Sequence, residues 1–230
     1  MRRCLPLVLF PLALFAEPNA LLTILSEELN RNFEVLKKAG DPAPYFIAYA
    51  VSEQETATIT AAFGTILSSN KRRSRTLDIT VRAGSEQLDN YHMLRGEMPQ
   101  FTPGAAIALD DNPNAIKLRL WRETDRTFRA AAQRLINIKT NKEVQVAAKE
   151  ASDDFSREEP SNAAQLPDTL EFDKDDWTRR VRKLSAEFNK YPGILGSNVT
   201  VSVSRETKYL VTTQGTRLVH GRPFSRIILS

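Results

Sequence analysis

Few side chains in this 230-residue chain carry chemistry, and their spacing is restrictive. His92 and His220 are the only two histidines, and Cys4 is the only cysteine. A catalytic zinc takes three protein ligands, and zinc proteases set two of them one helical turn apart. Neither HExxH nor HExxxH spacing occurs. Two isolated histidines are expected to lie in loops or at strand ends. The sequence also lacks GxSxG, GxGxxG and the P-loop pattern, which leaves no framework for a serine nucleophile or a phosphate cradle. Carboxylates come in pairs at Asp110-Asp111, Asp153-Asp154 and Asp175-Asp176. Adjacent acids at helix starts normally cap the helix and meet solvent. A general acid–base pair would instead need shared burial. One basic run, Lys71-Arg72-Arg73-Ser74-Arg75, falls between two predicted strands. It is read as a solvated hairpin turn whose charges protect a sheet edge, since no aromatic stacking platform accompanies it. The residues therefore assign no catalytic, cofactor-binding or metal-binding position.

Composition is that of a folded domain: 41% hydrophobic, 26% charged, nine Gly and twelve Pro. It excludes collagen, a coiled-coil rod and a wholly disordered chain. Arg2 and Arg3 precede an apolar run from Leu5 to Phe15, closed by Ala16 and Glu17-Pro18. This is the pattern of a secretory signal peptide, too short to cross a bilayer. The chain is therefore expected to be secreted or periplasmic, with Cys4 lost alongside the signal. Removing Arg2 and Arg3 lowers the net charge from +4 to +2, too little to argue for nucleic acid.

The elements that must position any site follow from periodicity. Leu22, Leu25, Leu29, Phe33 and Leu36 form one helical face, stopped by Gly40-Asp41-Pro42. Three strands are predicted over 45–54, 56–68 and 76–82. A long connection covers 84–111. Asn112-Pro113 then caps a long helix reaching the Ile138 region, whose apolar face is read as Leu118, Trp121, Phe128, Ala132 and Leu135. A surface loop covers 153–168. Trp177, Val181, Leu184 and Phe188 mark another helix, and three strands are predicted over 198–204, 208–213 and 225–229. The fold class is α+β: duplicated helix plus three-stranded antiparallel units with a long central helix. The predicted division is 1–16 signal peptide, 17–111 first unit with its connection, 112–168 central helix and loop, and 169–230 second unit.

The duplication is read from an ungapped slide of 151. It matches Glu55-Thr56 to Glu206-Thr207, Gly64-Thr65 to Gly215-Thr216, Leu67 to Leu218 and Ser74-Arg75 to Ser225-Arg226. That is seven identities in twenty-five pairs, where chance gives about two. On this slide Ser230 falls opposite Ile79, in mid-strand, so the second unit is expected to be truncated.

Several stretches resemble one family. Tyr45-Phe46-Ile47-Ala48-Tyr49, Phe63-Gly64 with Ser68-Ser69, Arg72-Arg73-Ser74-Arg75 and Leu77-Asp78-Ile79-Thr80-Val81-Arg82 look like the N-terminal region of TldD/PmbA-type proteins. So do Leu88-Asp89-Asn90, Leu120-Trp121-Arg122-Glu123-Thr124-Asp125, Asp153-Asp154-Phe155-Ser156, Trp177 and Thr213-Gln214-Gly215-Thr216. These are zinc metallopeptidases of peptidase family U62, historically called modulators of DNA gyrase. The resemblance implies an N-terminal α/β region shaping a cavity and a C-terminal β-rich domain carrying HExxxH and a further zinc ligand. It implies homo- or heterodimers with a related member that enclose unfolded peptides; nucleic acid is not expected as a partner, because export removes the chain from it. No zinc ligand has a counterpart in this chain, so zinc is expected only in a C-terminal domain beyond it. The implied role is a non-catalytic region supplying cavity walls and dimer contacts. The other class of function left open is a stand-alone periplasmic binding or scaffold module.

Overall fold

A computed structural model describes residues 19–94, 104–140, 152–166 and 169–230. The predicted signal peptide at 1–16 lies outside the described residues. Helix α1 (Ala20–Ala39) starts where Asn19 accepts a hydrogen bond from the Leu22 N–H through its side chain, as an N-cap asparagine does. Leu22, Leu25 and Leu29 are buried, and Phe33 and Leu36 pack against the same core. The expected face and the stop at Gly40 both hold. The Gly40 N–H donates to the Leu36 carbonyl at 2.8 Å.

The predicted three strands per unit are two. Strand β1 (Pro44–Ala62) and strand β2 (Thr65–Ala83) each run 19 residues and meet at Phe63-Gly64. Strand β5 (Val199–Thr212) and strand β6 (Arg217–Leu229) form the second hairpin. Glu55 and the charged stretch 69–75, between the predicted strands, lie inside β1 and β2. Glu53 and Glu55 on β1 meet Arg73, Arg75 and Lys71 on β2, and Glu55 also meets Arg205 on β5. Cross-strand ion pairs satisfy the charges, so the ladder continues.

Short strands β3 (Ala105–Ala106) and β4 (Asn162–Ala164) complete one six-stranded sheet ordered β3-β2-β1-β5-β6-β4. Every pairing is antiparallel except that of β4 with β6. Strands β1 and β5 join the two hairpins at the centre. The fold is thus α+β, with both hairpins in a single sheet.

Alternation sorts the side chains of this sheet onto two faces, and both apolar clusters lie on the same one, toward opposite ends of the strands. Ile47, Tyr49, Val51, Leu77, Ile79 and Val81 face α1 and the long helix α2 (Pro113–Thr140). Ile59, Ala61, Val199 and Val201 face helix α3 (Lys174–Ala186), forming a second cluster with Val181. The ion pairs of Glu53 and Glu55 lie between the two clusters in the strand register. Each helix was expected on its own strands. Instead α1 packs on β1, β5 and β6, and α3 on β1, β5 and β2, each crossing the central pair.

The long helix begins as expected, with Asn112 accepting from the N–H groups of Asn114 and Ala115. Its buried face differs. Ile116, Leu120, Thr124, Thr127, Ala131, Leu135 and Ile138 point inward, while Leu118 and Trp121 are 66% and 51% exposed. In α3 Val181 and Ser185 are buried and Trp177 packs on the same cluster, as does Phe188 just past the helix, so of the expected face only Leu184 lies outside.

The slide of 151 matches the two hairpin turns, where Gly64 and Gly215 both have positive φ. It does not match the strands. A slide of 150 carries the ladder pair Ala57–Lys71 onto Thr207–Gly221 and Glu53–Arg75 onto Val203–Ser225. An odd slide exchanges the faces of every strand. It would set buried Arg75 against exposed Arg226. The strand identities at 151 are therefore not between equivalent positions.

Candidate binding face

The helices cover one face of the sheet. The opposite face is lined by short hydroxyl side chains. Ser52, Thr56, Thr58 and Thr60 of β1 lie beside Lys208, Ser204, Ser202 and Thr200 of β5 in register. Thr60 and Thr200 hydroxyls are 3.1 Å apart, and the Thr58 hydroxyl donates to that of Ser202 at 3.4 Å. Ser68, Ser74, Thr76 and Thr80 of β2 extend the same face. Most of these residues are half-buried by their neighbours, and among the described residues no helix packs above them. Each hydroxyl can donate and accept, so the surface suits polar groups of either kind. The period-two run of Ser and Thr over 56–60 and 200–204 carries this signal in the sequence.

Reading the register across four strands gives rows. One row is Arg72, Thr56, Ser204 and Phe224; the next is Asn70, Thr58, Ser202 and Arg226. On the other side lies Ser74, Gln54, Glu206 and Arg222. The strand edges thus bring arginines to both sides of a neutral hydroxyl centre.

One end of this face is closed by a clasp. The Arg82 guanidinium lies over the rings of Tyr91 and Phe155, at 4.4 and 4.5 Å, a doubly stacked cation. It donates to fully buried Asp89 at 2.5 Å. The Tyr45 hydroxyl donates to the same carboxylate at 2.6 Å. Burial, then the Asp89 carboxylate, holds the Tyr45 phenol above its ordinary pKa. Asp154 accepts from the Asp89 N–H at 2.9 Å and lies 2.7 Å from His92 Nδ1. Phe155 packs on Phe46 with ring centroids 4.9 Å apart. The segments 85–92 and 154–155 are thereby pinned to the sheet, which buries Phe46 and Ala48.

The residues singled out by type are redistributed. His92 belongs to the clasp, and His220 is exposed in the middle of β6, not at a strand end. Of the acid pairs, Asp175-Asp176 sits in the first turn of α3 as expected, below the true N-cap Asp173. Asp154 and Asp111 are not free solvent-facing caps: one joins the clasp, and the other accepts from Arg75 at 2.7 Å. The basic run is not a turn. Lys71, Arg73 and Arg75 point to the helix-covered face and pair with acids, while Arg72 points to the open face. Burial opposes the Arg75 charge, but the hydrogen bonds it donates to Glu53 and Asp111 outweigh it and hold its pKa above the ordinary value. Among the described residues no group of three or more His, Cys, Asp or Glu side chains converges as a metal site. The arrangement offers hydrogen bonds and charge, which is the chemistry of binding.

No protein-family model matches the chain, and no curated protein matches it. Solved structures do. TldE from Thermococcus kodakarensis aligns at 14% identity with a TM-score of 0.49, over 86% of this chain and 38% of its own. A protein from Thermotoga maritima, described as a "putative modulator of a DNA gyrase", aligns at 10% identity and TM-score 0.44, over 87% of this chain and 38% of that one. A Bacteroides thetaiotaomicron protein of like description aligns at 7% identity and TM-score 0.47, over 89% and 39%. The chain spans well under half the length of each structure it matches.

Proposed function

We propose that this chain is the non-catalytic, peptide-holding region of an exported TldD/PmbA-like metallopeptidase, whose whole-protein activity is proteolysis of unfolded peptides. The observation that carries this reading is the uncovered, hydroxyl-rich sheet face. A sheet face left bare by helices and lined with Ser and Thr is suited to form the wall of a wet cavity. An unfolded peptide exposes amide N–H and C=O groups at every residue, and neutral hydroxyls satisfy both without selecting one side chain. The sequence resemblance supplies the rest of the reading. Zinc and its ligands belong to a C-terminal domain outside this chain, a related member supplies the other half of a dimer, and export uses the N-terminal signal.

The test uses the purified chain with a fluorescein-labelled unfolded peptide. Anisotropy is expected to report reversible binding, with no cleavage on prolonged incubation with or without added zinc. Chelator-sensitive cleavage by this chain, or no binding at all, would overturn the proposal.

A further inference from the structure

The open face is neutral at its centre and cationic at its margins. Arg72 stands on β2, and Arg222 and Arg226 stand on β6, all exposed and all on this face. Among the described residues none of the three has an ion pair or a side-chain hydrogen bond. Most cations elsewhere on the sheet are satisfied: Lys71, Arg73, Arg75, Arg82 and Arg205 each hold a carboxylate. The acids on this face are Glu206, 3.5 Å from Lys208, and Asp78, one row beyond the Thr76 row. Glu206 neighbours Arg222 in its row but forms no ion pair with it, and the rows of Arg72 and Arg226 hold no acid.

Their spacing defines what fits. Arg72 and the β6 arginines are separated by three inter-strand steps of ~4.8 Å, hence ~14 Å across the hydroxyl centre. Arg222 and Arg226 flank Phe224, which closes the Arg72 row. A peptide laid across the strands rises ~3.4 Å per residue, so side chains four residues apart reach both margins. Guanidinium forks bind carboxylates in bidentate fashion. Resting on the peptide-holding role proposed above, we infer that this face selects acidic stretches of an extended peptide. Carboxylates four residues apart engage Arg72 on one side and Arg222 or Arg226 on the other, while the backbone between them lies on Thr56, Ser204, Thr58 and Ser202. An apolar side chain beside the acid meets Phe224, which is 60% exposed.

The experiment compares two labelled twelve-residue peptides of Gly, Ala and Ser, one with Glu at positions four apart and one with Gln in their place. Binding to the full chain is followed by anisotropy at low and moderate salt. The Glu peptide is expected to bind about tenfold tighter at low salt, with the difference shrinking as salt rises. In the triple variant R72Q/R222Q/R226Q the two peptides are expected to bind equally, with an unchanged melting temperature. Equal binding of both peptides to the unaltered chain overturns the acidic preference and leaves the peptide-holding role standing. Failure of both peptides to bind overturns both. A Glu preference that survives the triple substitution overturns the assignment to these arginines. Binding of heparin with no binding of the Glu peptide overturns the peptide in favour of an anionic glycan.

Discussion

Arg75 of β2 donates to Glu53 of β1 at 2.5 Å, and its side chain is only 2% exposed. The same guanidinium donates to Asp111 and to the Ala108 carbonyl, both at 2.7 Å. One buried cation therefore ties the two long strands together and anchors the approach to α2. Removing Glu53 would leave that cation short of its buried partner. Glu53→Ala is expected to cost ~3 kcal/mol in urea unfolding. Asp111 is 45% exposed, and Asp111→Asn is expected to cost under ~1 kcal/mol. Equal losses would mean that Glu53 is not the principal partner.

The rotated face of α2 can be tested by a neighbouring pair. Leu120 is fully buried and Leu118 is largely exposed. Leu120→Ala is expected to lose ~2–5 kcal/mol, and Leu118→Ala to stay within ~0.5 kcal/mol. The reverse order would restore the face that includes Leu118 and Trp121.

Tyr49 gives the chain an alkaline limit. Burial pushes its phenol up to about 12, against the opposing hydrogen bonds to Thr124 and Asn32. A raised acid favours the neutral form in the folded state. Its stabilisation is complete below the unfolded value of ~10 and is lost as pH rises through the folded value. Stability measured by urea midpoint is expected to hold to near pH 10 and then fall. Tyr45, held up by burial and Asp89, adds to the same limb, so Tyr49→Phe should flatten it in part. At neutral pH that variant also strips a partner from Asn32 and Thr124, costing ~1–2 kcal/mol. An unchanged alkaline limb in Tyr49→Phe would remove Tyr49 from this role.

The first hairpin turn depends on a left-handed residue. Gly64 has φ +84°, and a Cβ there would lie 3.3 Å from the Ala186 Cβ. Gly64→Ala is expected to cost ~1–2 kcal/mol. A Cβ on Gly196 meets nothing within 4 Å, so Gly196→Ala should change the midpoint by less than ~0.5 kcal/mol. Similar effects at both glycines would show that the turn tolerates a side chain.

What the amino-acid order settles by itself is local. The Asn112 cap, the α1 face and the Gly40 stop depend on contacts within a few residues, and each is where periodicity and turn chemistry put it, whereas the turn at Phe63-Gly64 falls inside the predicted strand 56–68. The alternation of Leu77, Ile79 and Val81 likewise marks a strand with one buried side. The tertiary structure decides wherever the partner is distant. Glu55 and the stretch 69–75 read as breaks, because a charge satisfied from another strand looks the same in sequence as a charge satisfied by water. Asp154 and Phe155 look like surface loop until Asp89 and Phe46 are brought beside them. Helix α2 carries two competing apolar stripes that share Leu135, and only the position of the sheet chooses between Leu118 and Leu120. The slide of 151 fails for the same reason. Identity along the chain carries no information about which face a residue takes, whereas the hydrogen-bonded ladder, with its period of two, admits only an even slide.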